Sequence, residues 1–482
     1  MTIALLKWIS KEQEMKGISS AANSIVFTVV LFISMTAPLL AQAQDILGRK
    51  TPPLQSLAGF DREETLIQAG ATSITPDESL ALIGAHAGDN LVLPSLDAYF
   101  GFESEPLKYQ RVEMFAPGAR VIVVGEDGVV EWQRDARQFF LATNSTTGVA
   151  LAVDVSSGQI SGFAVKGSSK MQLDGQLDVG IELQVVKDSA ESSNSCGTDQ
   201  DDQHPASISF LKNPIPESIN GVASGGGVLY QAVIAIETDN EWMAGKGNNP
   251  ATAMTWITDT FLAMNVFYER DVNTRLLIGD VILRTTSDPY TVAGNRSNQL
   301  DEFAQYWRLN MDSTDRDFAA MLSGRDISSG SFSGIAWVNN YCQKGFVWNN
   351  RTVGSYSFNA VGSGRSAAGV ALYIGHEIGH NMGSPHTHCY NPSVDQCYSG
   401  ESSCYSGSTS CPAGGKGTVM SYCHVSGSSG AGCGTSNSEF HPTVQTLLES
   451  RLADNSPSCI APYTEQQPPT SDVIFSEGFE IY

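Results

Sequence analysis

The chain carries the stretch His376-Glu377-Ile378-Gly379-His380-Asn381-Met382-Gly383-Ser384-Pro385-His386, which reads HExxHxxGxxH. The residues before it, Ser366-Ala367-Ala368-Gly369-Val370-Ala371-Leu372-Tyr373-Ile374, are apolar, rich in alanine and free of proline. They predict a largely buried helix running into the motif. Positions i and i+4 share a helix face, so His376 and His380 can offer their imidazoles to one metal ion. Glu377, one step round the helix, then points at the water that completes the coordination. Gly383 can take the left-handed conformation that turns the chain sharply, which lets His386 return as a third ligand from outside the helix. Three neutral nitrogen ligands leave a position for water, whose pKa zinc lowers to about 7, so that Glu377 can take its proton at neutral pH. HExxH alone also occurs as solvated residues on amphipathic helices. The longer pattern points to zinc and to hydrolysis.

Downstream lies Gly417-Thr418-Val419-Met420-Ser421-Tyr422. With the extended motif, it resembles the methionine turn of the metzincins, a superfamily of zinc peptidases. The resemblance implies that the Met420 thioether forms a hydrophobic floor beneath the zinc ligands, a role close to that of an ordinary core methionine. Tyr422 matches the tyrosine that astacins and serralysins use as a mobile zinc ligand or oxyanion donor. The alternative for it is a packed aromatic, because from about Gly227 to Ala461 the chain is more similar to the reprolysin and ADAM branch, where that tyrosine is not expected.

The resemblance to reprolysins rests on ordered blocks. Val228 to Ile236 reads as a first, central strand, Ala251 to Tyr268 as a long helix, and Leu276 to Leu283 as a second strand. Phe318 to Gly324 resembles the block ahead of the substrate-side strand, and Gly334-Ile335-Ala336-Trp337-Val338 that strand itself. An exposed edge strand there would hold an extended peptide by backbone hydrogen bonds; the alternative is a buried strand. Thr387 and His388 stand where reprolysins have an Asp after the third His, and His388 reads as a surface histidine more than as a surrogate ligand or a donor behind the metal ligands. Gln231 stands near the place of the family's calcium-binding Glu, so Ca2+ is possible but without support. The implied fold is α/β and zincin-like: a twisted, mostly parallel sheet over the active-site helix, an irregular lower subdomain, and a β-rich propeptide domain in front.

A formal charge of −23 argues against nucleic acid or an anionic membrane as partner. The apolar run from Ser24 to Leu40, with Lys16 before it and Ala41-Gln42-Ala43 after it, is a signal-peptide pattern. Residues 1–43 are therefore expected to direct secretion and to be removed, with a retained anchor as the alternative and Met15 as an alternative start. No stable membrane association of the mature protein is expected. Of nine cysteines, Cys342, Cys389, Cys397, Cys404, Cys411, Cys423, Cys433 and Cys459 form no CxxC pair and predict four disulfides made in an oxidising compartment. The resemblance implies a pairing of Cys342 with Cys459; spacing leaves the other pairings open.

Cys196 is the odd one. Ser195-Cys196-Gly197-Thr198 resembles the Cys-Gly core of the cysteine switch in matrix metalloproteinase and ADAM propeptides, which implies a thiolate that fills the open zinc position before activation. An unpaired or intermolecularly bridged cysteine is the alternative. Residues 44–190, with β-rich stretches such as Arg120-Val121-Ile122-Val123-Val124 and Val149-Ala150-Leu151-Ala152-Val153, read as a propeptide domain with a core of its own. Residues 191–226 read as an activation linker, 227–461 as the peptidase domain and 462–482 as a short tail. The tail's Val473 to Glu480 resembles short terminal motifs of bacterial secreted proteins, with a disordered end as the alternative.

The expectation is a secreted zymogen of a zinc endopeptidase acting on protein or peptide substrates, with its own propeptide as inhibitor. The competing expectation is a catalytically silent zinc-binding adhesin or toxin-like binding protein of the same fold. Retention of Glu377 speaks against the latter, since such a protein needs no base beside the metal.

Overall fold

The computed structural model describes residues 64–102, 106–188, 195–196, 227–329, 331–434 and 436–464. The expected signal peptide, most of the expected linker and the stretch from 465 onward lie outside the described residues.

In the N-terminal half, β1 (Glu64–Thr72), α1 (Pro76–Gly84), β2 (Asn90–Leu91), α2 (Pro94–Phe100) and β3 (Tyr109–Val112) are followed by β4 (Val121–Gly125) and β5 (Gly128–Trp132). The meander β6 (Gln138–Thr143), β7 (Thr147–Val153), β8 (Gln159–Lys166), β9 (Ser169–Gln176) and β10 (Gly180–Asp188) completes it. Eight of these strands form an antiparallel sheet in the order β1-β10-β9-β8-β7-β6-β3-β2. Side chains along a strand alternate between faces, and both faces of this sheet are apolar. Phe140, Ala142, Val149, Leu151 and Ile160 pack under α1 and α2 with Leu82, Leu96 and Phe100. Phe139, Leu141, Ala150, Ala152, Phe163 and Val165 point the other way, into the core of the C-terminal half.

That half starts, after β11 (Ser195–Cys196), with β12 (Tyr230–Thr238), α3 (Asn240–Gly245), α4 (Pro250–Val272) and β13 (Thr274–Arg284). Next come α5 (Arg296–Asn310), β14 (Phe318–Ser323), β15 (Phe332–Ala336), β16 (Phe346–Trp348), β17 (Arg351–Val353) and β18 (Tyr356–Val361). The motif helix α6 (Ala367–Asn381), then α7 (Pro442–Asp454) and β19 (Ala461–Pro462), end it. The central sheet runs β11-β15-β18-β14-β12-β13-β4-β5, with β19 beside the start of β12. Its pairs are parallel except β15 with β18, β4 with β5 and β12 with β19. Alternation again sorts the side chains. Ile234, Ile236, Phe318 and Ala320 join the core with α4 and α6, while Ala235, Ala319 and Met321 meet Phe303 and Trp307 of α5 on the other face. The result is a mixed α/β fold, and all described residues belong to one compact unit.

Three expectations are corrected. The stretch Val121–Val124 does not serve a separate N-terminal core: it pairs with Val281–Arg284 and lengthens the central sheet, because β13 is buried along all of its length and needs a neighbour on both sides. The edge strand β15 is not open. Ser195 and Cys196 pair in parallel with Ser333 and Gly334 and take that edge. The C-terminal half closes beyond Ala461, since Tyr230 pairs with Pro462 and the Tyr463 amide donates to the Leu229 carbonyl at 2.7 Å. Among the described residues no helix is long and apolar enough to cross a membrane.

Candidate metal centre

Ser366 starts α6: its hydroxyl accepts from the Gly369 amide at 3.0 Å, satisfying one of the free donors of the first turn. The helix is buried along its motif face and closely packed. A Cβ on Gly375 would lie 2.8 Å from Cζ of Phe267, and one on Gly379 would lie 2.6 Å from Sδ of Met420. The helix ends at Asn381, and Gly383 has φ 108°, a conformation that a Cβ disfavours. Amides of Gly383 and Ser384 donate back to the carbonyls of His380 and Gly379, closing the turn that carries His386 to the helix.

The three imidazoles converge. Nε2 of His380 stands 3.0 Å from Nε2 of His376 and 3.2 Å from Nε2 of His386. Each ring has its other nitrogen on an acceptor at 2.7 Å: Val419 O for His376, Ser384 O for His380 and the Glu401 carboxylate for His386. A carbonyl or carboxylate only accepts, so Nδ1 carries the proton in each ring and Nε2 is a bare lone pair. Burial pushes His376 well below its ordinary range, and the neighbouring histidines add to this; His380 is pushed down to about 3 by the same two causes. Both rings are therefore neutral at pH 7. Three lone pairs facing one point repel unless a cation lies between them. Ligand atoms about 2.0–2.1 Å from a tetrahedral zinc stand about 3.3 Å apart, which the observed spacings approach. The donor set fits zinc.

Around these rings the segment from Gly417 to Tyr422 supplies the floor. Met420 is fully buried against Gly379, its carbonyl accepts from the Thr387 amide at 3.0 Å, and the preceding carbonyl holds His376. Tyr422 is buried with its ring centroid 4.1 Å from that of His386 and 5.1 Å from that of Tyr398, within an aromatic wall. Disulfides join Cys342 to Cys459, Cys389 to Cys404, Cys397 to Cys423 and Cys411 to Cys433. The last three tie the Gly- and Ser-rich segment beside the third histidine.

His388 is corrected: it is fully buried, not on the surface, and stacks on His386. Its Nε2 shares the Glu401 carboxylate with His386 at 2.8 Å. Burial works to raise the Glu401 carboxyl, but the two imidazoles more than reverse this and hold it well below the usual carboxylate range. Glu401 was not read from the sequence. It does for His386 what a carboxylate does behind many metal-bound histidines, fixing the tautomer and the ring. Glu401→Ala is expected to weaken zinc binding by about 10- to 100-fold in a chelator competition, and Glu401→Gln, which keeps an accepting oxygen, by less.

Glu377 is 1% exposed and lies against β15. A Cβ on Gly334 would stand 2.5 Å from its Cδ and 2.7 Å from its Cγ, so only glycine leaves the carboxylate its place. Ile335 and Trp337 point instead into the core under α5, with Ala336 also buried. Gly334→Ala is expected to displace the Glu377 carboxylate and to lower kcat by about 10²-fold while the zinc content stays at one per chain. The backbone of Cys196 is in register with Gly334. Its side chain, and with it the expected thiol switch, lies outside the described residues.

Residues 230–434 match the family Reprolysin_5, described as metallo-peptidase family M12. Over this part the match supports a zinc-dependent metallopeptidase. A solved structure titled "Structure of a chaperone-substrate complex" is similar at 12% identity, with a TM-score of 0.28, over 60% of this chain. The chain spans 38% of that structure's chain, and a likeness of this size carries no argument about fold or function.

Proposed function

We propose that this protein is a secreted zinc endopeptidase of the reprolysin-like metzincin kind, made as a zymogen. The observation that carries the reading is the convergence of three buried imidazoles whose Nδ1 atoms are all held by acceptors. His376, His380 and His386 would hold the zinc. Zinc bound there supplies a Lewis acid that lowers the pKa of water to about 7 and polarises a carbonyl. Glu377, one residue after the first ligand and buried against Gly334, takes a proton as general base and returns it to the leaving amine as general acid. Tyr422 walls the site and is the proposed hydroxyl donor to the scissile carbonyl oxygen.

The backbone of β15 is the proposed rail for an extended substrate. Because Ser195 and Cys196 occupy that edge beside Gly334 and Glu377, a peptide there has to displace them. This supports an inhibitory role for the segment, with the Cys196 thiolate as the proposed stopper of the zinc position. The test is hydrolysis of casein by the unprocessed protein, by Glu377→Ala and by Cys196→Ala, with and without a zinc chelator. Expected are no turnover in Glu377→Ala or after chelation, and faster turnover in unprocessed Cys196→Ala than in the unprocessed native chain. Equal rates in those last two would remove Cys196 from the account.

A further inference from the structure

We infer that residues 64–188 are a lasting subunit of the folded enzyme rather than a detachable pro-piece, and that a chain cut between 189 and 226 stays together as a two-chain protein. The inference rests on the proposed zymogen and on the reading of residues 191–226 as its activation linker, but not on peptidase activity.

The first ground is the sheet. β4 is not laid over the C-terminal half but inserted into its hydrogen-bond ladder. Val281 N donates to Arg120 O at 2.8 Å and Thr285 N to Val124 O at 2.9 Å, and Phe115 bridges Ile278, with Ile278 N donating to Met114 O and Ala116 N to Ile278 O, each at 2.8 Å. Arg120 adds a two-point contact to Asp280, through its amide at 2.8 Å and its guanidinium at 2.7 Å. Loss of this strand would leave β13, apolar on both faces and buried throughout, as an open edge, a condition that native sheets avoid.

The second ground is α4. Nearly every residue from Ala253 to Tyr268 is buried, and a helix that is buried on all sides needs cover on all sides. The central sheet and α6 cover two of them; β6, β7 and β8 cover the third. Thr258, Asp259, Asn265 and Val266, spaced as one helix face, make that contact. A Cβ on Gly148 of β7 would collide with Cγ1 of Val266, so strand and helix touch backbone to side chain. Asn265 donates to Sδ of Met114 at 3.9 Å. Arg137, 13% exposed, ties its neighbour Asp135 at 2.6 Å to Asp259 at 2.8 Å and to the Thr258 hydroxyl at 2.8 Å. Arg275 of β13 reaches Gln110 at 3.0 Å.

The third ground is reciprocity. The face of the N-terminal sheet that carries Phe139, Leu141, Ala150, Ala152, Phe163 and Val165 has its only described cover in the C-terminal half, where these residues join one hydrophobic cluster with Ile257, Phe261, Met264 and Leu276. Separation would expose two apolar faces and an edge strand at once. An interface whose residues from both halves share one hydrophobic cluster resembles a domain core more than a transient contact. Among the described residues no disulfide joins the two halves, so retention there has to come from this packing.

The test uses the full chain carrying Glu377→Gln, to prevent self-digestion, with a site-specific protease sequence placed between 200 and 225. After complete cleavage, the sample is diluted to about 1 µM and run on size exclusion, where a complex with a Kd well above that value comes apart. The expected result is one peak containing both fragments in equal amounts, with a single melting transition like that of the uncut chain. A separate peak of the N-terminal fragment overturns the inference, whether the remaining half stays soluble or aggregates. Failure of the casein assay with co-elution intact would reject the peptidase reading alone.

Discussion

Glu377→Gln is expected to lower kcat for peptide hydrolysis by about 10²–10⁴-fold, the range in which a positioned acid–base group contributes. Glutamine has nearly the shape of glutamate and can occupy the space that Gly334 leaves free. It cannot take up a proton at neutral pH. The three ligand histidines and their acceptors are untouched, so zinc content and melting temperature should match the native chain. Steady-state kinetics beside metal analysis checks this. A variant that keeps zinc and turns over at more than about a tenth of the native rate would remove Glu377 from the general-base role.

His380→Ala is expected to have the other large effect. Its Nε2 is the atom within reach of both other ligand nitrogens, at 3.0 and 3.2 Å, so its loss leaves two ligands on opposite sides of a hole. Structural and catalytic zinc sites hold the ion with three or four protein ligands. The variant should bind no stoichiometric zinc after dialysis and should show no hydrolysis above background. It should also lose some stability, because the Ser384 carbonyl loses its donor in a buried site. One zinc per chain retained in His380→Ala would mean that the ion sits elsewhere.

The convergence of His376, His380 and His386 was legible because HExxHxxGxxH encodes geometry in spacing. Two histidines four residues apart on a helix, and a glycine where the chain must reverse, leave little freedom for the third. Met420 was legible for the same reason: a short turn fixes what lies under the helix. The strands and helix from Tyr230 to Arg284 announced themselves by apolar periodicity, with α4 running a turn beyond its predicted end. Glu401 was not legible. It lies 15 residues past His386 in a Gly- and Ser-rich segment whose path is set by the Cys389–Cys404 bridge rather than by any period. His388 misled for a related reason, since a histidine between polar residues reads as solvated until its carboxylate partner is known. The pattern of Val121 to Val124 declared a strand but not its neighbour, and pairing across 160 residues leaves no trace in one sequence. Gly334 was placed on the right strand, yet the need for a glycine came only from the approach of Glu377.

The central claim is that zinc held by His376, His380 and His386 and the base Glu377 hydrolyse peptide bonds. It is tested most directly by titrating zinc into metal-free protein cut between 189 and 226 and following casein hydrolysis and bound zinc in the same sample. The account predicts activity that rises in proportion to zinc, levels at one equivalent, and is absent from the Glu377→Gln protein although that protein binds the same amount. One zinc bound per chain with no hydrolysis in the cut protein, also when it carries Cys196→Ala, would contradict it and favour the silent, zinc-holding binding protein of the same fold.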